Sequence, residues 1–158
     1  MPIVIEDIDR GYKKFLAQLR LAKRGPIVKI GIQDDAGLHG DSGTTIADIA
    51  TFNEFGAPGA NIPERSFIRS TMDENRQALL KLNKELFFKL AEGRMTTKRA
   101  LNILGLKIVT LIRKKITDLK DPPNKPATIA HKGSSNPLID TGLMRASIRH
   151  RVEMDGDK

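Results

Sequence analysis

The 158-residue chain contains no cysteine and no tryptophan, a single tyrosine and six phenylalanines. Without cysteine there is no disulfide framework, no thiolate nucleophile and no cysteine-based zinc site. Aromatic residues are 4% of the chain, so leucine and isoleucine must supply most of the packing. No apolar run approaches the roughly 20 residues that a helix needs to cross a bilayer. The opening MPIVIEDIDR carries acids where a secretory leader carries bases, which predicts no secretion. Catalytic signatures are missing as well: there is no G-x-x-x-x-G-K-[ST], no G-x-G-x-x-G after a strand, no H-E-x-x-H and no G-x-S-x-G. His39, His131 and His150 keep no regular spacing, and no carboxylate sits in an apolar run where burial would raise its pKa. The expectation is a protein with no catalytic residue, no cofactor and no metal.

What is present is positive charge. Against 19 acidic residues stand 27 basic ones, a formal net charge of +8. Such a balance bears on solubility and on polyanionic partners, not on fold. Much of the excess falls between Arg94 and Lys120, where Arg94, Lys98, Arg99, Lys107, Arg113, Lys114, Lys115 and Lys120 face the single acid Asp118. One reading is a solvated helix face, the other a surface near DNA. Aromatic platforms for single strands are absent from this stretch, and no zinc-finger or RRM signature occurs.

Length and patterning predict one domain over residues 1–158. Residues 5–23 suit an amphipathic helix with Ile8, Tyr12, Phe15, Leu16 and Leu19 on one stripe, stopped by Gly25-Pro26. A strand follows at 27–32, where Gly31 suggests a bulge or a close backbone neighbour. The loop 34–43 holds Asp34, Asp35, His39 and Asp41, but lacks the order and terminal glutamate of a calcium hand. A short helix over about 44–55 is closed by Gly56 and Pro58. Beyond the loop GAPGAN, Ile62-Pro63 enforces an extended approach to a longer helix ending near Gly93, with Met72, Leu79, Leu82, Leu86 and Leu90 on its stripe. Thr96 or Thr97 caps the next helix, in which Leu101, Leu104, Ile108, Leu111 or Ile112, and Leu119 continue an apolar face. Gly105 inside it suggests close packing against another helix. These two helices form an antiparallel pair.

Asp121-Pro122-Pro123 ends the second of them, and 121–136 reads as a long structureless loop, mobile in the isolated chain or laid on a neighbour as an arm. Asp140 or Thr141 can cap a short turn over Gly142 to Arg145, and 147–152 alternates as a strand paired with 27–32. The predicted class is α+β: about four main helices, including the long antiparallel pair, packed with a small antiparallel sheet. Two strands alone are marginal, so a third strand or extension by a neighbour is expected.

Two stretches have a recognisable wording. Asn53-Glu54-Phe55-Gly56 with Ile62-Pro63-Glu64-Arg65-Ser66-Phe67 is the first. Thr128, Lys132-Gly133-Ser134-Ser135, Pro137-Leu138-Ile139-Asp140-Thr141-Gly142 and Ile148 make the second. Their order and spacing resemble a bacteriophage virion-morphogenesis family, the tail-completion or neck proteins of tailed phages. Members often carry proline at the position of Ser66. The resemblance implies a structural protein made in the host cytoplasm and residing in the virion. It forms a ring, commonly of six copies, that joins the head connector to tail-terminator or tail-tube proteins around the DNA channel. It marks Asn53, Glu54, Gly56, Pro63, Arg65, Phe67, Asp140, Thr141 and Gly142 as structural positions.

Two contacts are expected from the residues. Glu54, at one helix end, is predicted to pair with Arg65 at the start of the next, with Gly56 at positive φ. Lys107 and Lys114, two turns apart on one helix side, are the candidate DNA-channel residues. The alternative function is a small basic protein contacting phosphates without reading sequence.

Overall fold

The computed structural model describes residues 25–38 and 43–154, preceded by the isolated helical positions Tyr12, Lys13, Leu16, Ala17 and Arg20. The rest of the predicted 5–23 helix lies outside the described residues, as do His39, Asp41 and the last four residues. The architecture is α+β. Among the described residues, strand β1 (Ile27–Ile32) is followed by helices α1 (Ile46–Phe55), α2 (Arg69–Glu74), α3 (Arg76–Ala91), α4 (Thr97–Asp118), α5 (Pro126–Lys132) and α6 (Leu143–Ser147), then strand β2 (Ile148–Glu153).

The 22-residue α4 is the axis on which everything else packs. It starts at Thr96, whose hydroxyl accepts from the Arg99 N–H, and it buries Ile108, Val109, Ile112 and Ile116. Antiparallel strands β1 and β2 lie across it in a continuous register from Ile27↔Glu153 to Ile32↔Ile148. Alternation sends Ile148, His150 and Val152 inward while Arg149 and Arg151 stay exposed. Gly105 does serve close packing, but the neighbour is a strand and not a helix. A Cβ there would stand 2.5 Å from the ring of His150, whose Nε2 lies 3.0 Å from Asn102 Oδ1. At Gly31 the register is unbroken and nothing lies within 4 Å of where a side chain would start, so neither bulge nor close neighbour is present; its φ of +149° explains the glycine. No third strand joins the sheet among the described residues.

On the other side of α4 lies α3, with Leu79 and Leu86 buried. Glu74 meets Lys115 at 2.5 Å, and Leu79 and Asn83 share a groove with Leu104 and Ile108, so the two helices run antiparallel. The long helix expected after residue 67 is in fact two. Asn75, at φ −103° and ψ 7°, breaks it and turns its amide back onto the Thr71 carbonyl. Of the expected stripe, Met72 falls on α2 and is 39% exposed, while Leu79 and Leu86 of α3 are buried.

Residues 121–136 depart furthest from expectation. Where a structureless loop was expected they include a two-turn helix, α5. Pro126 occupies its first turn, where a missing N–H costs nothing, and Gly133 closes it at φ +67°.

Candidate functional site

The two motif stretches converge, and the corner after α1 shows how. Thr45 and Asp48 form a capping box that starts the helix. Gly56 ends it at φ +74° and ψ +163°, positive as expected but extended rather than left-handed helical. A Cβ on Gly56 would stand 3.0 Å from the Glu64 nitrogen. The GAPGAN loop then closes on itself. Ala57 and Ile62 exchange backbone hydrogen bonds at 2.8 and 3.1 Å, with Asn61 left-handed at φ +53°. Pro63 is exposed at the start of the return, and the Arg65 N–H donates to Asn53 O at 2.7 Å.

Glu54 is 4% exposed and, contrary to the expectation, does not pair with Arg65. Its carboxylate instead accepts from the N–H groups of Phe67, Ile68 and Arg69 at 2.7, 2.8 and 2.9 Å, and from the Ser66 hydroxyl at 2.8 Å. The Arg69 guanidinium adds a bond at 3.2 Å and also reaches Glu54 O and Glu64. The reason is positional. The entry to α2 presents a row of N–H groups without intrahelical acceptors, and one buried carboxylate thirteen residues upstream satisfies them. Burial raises the Glu54 pKa, but the backbone donors of Ile68, Arg69 and Phe67 with the Ser66 hydroxyl outweigh it and hold it below its ordinary 4.5. Ser66 thus does something proline would not. Phe67, fully buried, seats the corner in the core.

Arg65 points the other way and is 7% exposed. Its Nε donates to Pro122 O at 2.8 Å, and a terminal nitrogen to Pro123 O at 3.1 Å and Asn124 Oδ1 at 3.3 Å. Asn124 in turn donates to Asn136 O, and Asn136 bridges the end of α4 at Thr117 O to the N–H groups of Leu138 and Ile139. Lys132 donates to Asn136 O and Pro137 O at 3.2 and 3.4 Å. Burial lowers the Lys132 pKa, the nearby Asp140 carboxylate opposes that, and Arg65 adds to it. This web is what orders 121–136.

Beside it lies a groove of about 160 Å³ where Ile46, Ile49 and Asn53 of α1 face Lys132, Asp140 and Thr141. Asp140 and Thr141 are exposed at its rim, and Gly142 takes φ +83° ahead of α6. Neither capping candidate holds the N-cap of α6, which is Gly142; Thr141, one residue before it, only accepts from the Leu143 N–H at 3.3 Å. The structure thus brings Asn53, Glu54, Gly56, Arg65 and Phe67 into one frame with Asp140, Thr141 and Gly142. Arg69, Asn124 and Asn136 were missed. A second arginine one turn past Arg65 was the available signal for Arg69, whereas nothing local marks the two asparagines.

Lys107 and Lys114 take no part in this frame and stand on exposed α4 positions. Lys114 is bonded to Asp118 one turn on, and Lys107 has no ion pair among the described residues. No group of His, Asp and Glu able to hold a metal occurs among the described residues, and no described helix is long and apolar enough to cross a membrane. Comparison with known protein families, with curated proteins and with solved structures finds no match to this chain.

Proposed function

We propose that this chain is a structural subunit of a tailed-bacteriophage virion. It is a neck or tail-completion protein that closes into a ring, six copies around, between the head connector and the tail-terminator or tail-tube proteins. The observation that carries the reading is the union of its two motif stretches. Residues 53–69 meet the segment leading into the second stretch through Arg65, which donates to Pro122 O, Pro123 O and Asn124 Oδ1, and Asn124 donates on to Asn136 O, while Glu54 and Lys132 bond within their own stretches. Such chemistry holds a shape and turns over no substrate. A ring needs two unlike, complementary faces on one subunit, because head-to-tail contacts that close give cyclic symmetry.

Quantitative mass spectrometry of purified particles tests this. The expected result is a fixed low copy number in a sixfold ratio to the neck, with loss of the chain giving DNA-filled heads that lack tails. Absence of the chain from particles overturns the reading.

A second reading, a basic protein that holds phosphates without base readout, is favoured by Lys107, exposed and without an ion pair among the described residues. Within the ring reading the same lysine faces the DNA channel, and Lys114 contributes less because Asp118 already holds its ammonium. Salt-dependent DNA binding by a purified chain that never enters particles selects the second reading.

A further inference from the structure

Two helices of the chain turn apolar side chains outward. On α1, Asp48, Phe52 and Phe55 follow at i, i+4 and i+7, so one outward side carries a carboxylate and two exposed rings. On α3, Leu80, Lys84 and Phe87 repeat that spacing with Phe88 beside them, and the three apolar residues are more than half exposed. Helix α1 packs inward on β1 and α6, whereas α3 packs on α4. We propose that these strips are the two halves of one contact between copies of this chain, the α3 strip of each copy seating on the α1 strip of the next.

Charge selects the pairing. From residue 30 to residue 64 the chain has six acids and neither lysine nor arginine. Among those described, Glu54 is buried, Asp35 is bonded to Arg149, and Arg69, which lies 4.9 Å over the Phe55 ring, is held between Glu54 and Glu64. Asp48 therefore remains as an exposed acid on α1, which carries no base. Over 73–89 four bases, Arg76, Lys81, Lys84 and Lys89, stand against Asp73, Glu74 and Glu85, and Glu74 is already held by Lys115. The α1 strip is thus negative and the α3 strip positive. Pairing α3 with α3 sets bases against bases, and pairing α1 with α1 sets Asp48 against itself, whereas the unlike pairing sets opposite signs together.

Shape agrees with charge. Beside Phe55 lies a groove of about 240 Å³ walled by Ile32, Ala47, Ala50 and Ile68. Beside Leu80 lies one of about 370 Å³ floored by Leu79, Leu104 and Ile108. Each strip therefore offers a protruding ring next to an apolar hollow, with Phe87 and Phe88 available to the first groove and Phe55 to the second. Unlike faces joined between copies are what a closed ring requires; the contact deepens the ring reading and rests on it only for closure.

The cysteine-free chain allows a clean test. Full-length Thr51→Cys, and full-length Lys84→Cys carrying an affinity tag that marks it by mass, are mixed in equal amounts at the highest soluble concentration and treated with a short thiol cross-linker. Thr51 and Lys84 are exposed, one on each helix. The expected result is that pairs containing one copy of each variant dominate. They are lost when Phe87→Asp is added to the Lys84→Cys chain, or Phe55→Asp to the Thr51→Cys chain, with the melting midpoint of the monomer unchanged. Like pairs that dominate, or linking that survives both aspartate variants, overturn the proposal. No linking between copies, in the purified protein or in particles, assigns the α3 strip to a different protein and also overturns it. A chain carrying both cysteines separates the contact from the ring. Products that close at a fixed number of copies support both, and an open ladder or a bare dimer keeps the contact and removes the ring. A closed ring without this cross-link keeps the ring and overturns the contact.

Discussion

The corner around Glu54 and the outer face of α3 invert the usual partition of residues. At the corner a carboxylate and a guanidinium are more than nine-tenths buried. On α3 three large apolar side chains, Leu80, Phe87 and Phe88, are more than half exposed, less than forty residues further along the same chain. The buried charges are stable because each is surrounded by complementary groups: N–H donors around Glu54, carbonyls around Arg65. No such arrangement compensates Leu80 or Phe87. The difference teaches that a rule broken with full compensation marks internal architecture, and one broken without it leaves an apolar patch facing water.

Breaking the corner has the largest expected effects. Phe67→Ala removes a fully buried ring and should cost about 3–5 kcal/mol, read as a shift of the denaturation midpoint. Next comes Glu54→Ala, which strands several N–H donors and the Arg69 charge. A loss of about 3 kcal/mol is expected, with Glu54→Gln milder because its amide oxygen still accepts. A midpoint unchanged in Glu54→Ala would sink the view of this carboxylate as the keystone of the α2 entry.

The same residue gives a pH signature. Its folded-state pKa lies below 4.5, so its contribution is fully present above that value and is lost as pH falls through the depressed pKa. Acid titration of stability should therefore show a steeper loss below about pH 4.5 in the native chain than in Glu54→Gln. Parallel curves would contradict the assignment.

Gly105→Ala sharpens the contrast from inside α4. Helix propensity alone predicts a gain of about 1 kcal/mol, yet the new methyl meets the His150 ring at 2.5 Å. Overpacking should win, with a net loss of about 1–2 kcal/mol and movement of the β2 resonances. The smallest effect belongs to the exposed side: Phe87→Ser and Lys114→Ala should each change monomer stability by less than about 0.5 kcal/mol. A large loss from Phe87→Ser would show that this ring belongs to the core of the isolated chain and erase the comparison.

By itself the sequence settled what depends on neighbours along the chain. The α+β class, the strand at 27–32 and its pairing with a strand at about 147–152 (148–153 in the structure), a threonine cap at 96 or 97 and the positive φ at Gly56 are all written in local periodicity and punctuation. Only the tertiary structure decided the partners. Glu54 chose the N–H groups of α2 and Arg69 over Arg65 because a helix entry offers several donors in one place, while Arg65 was drawn to carbonyls of 122–124 that no local pattern ties to it. Likewise α5 hid in a proline-rich run whose order depends on Arg65, Asn124 and Asn136, and Gly105 answered to a strand over forty residues away. Backbone preferences act over a few residues and are legible there, whereas a buried charge is satisfied by whatever the fold carries within about 3 Å of it.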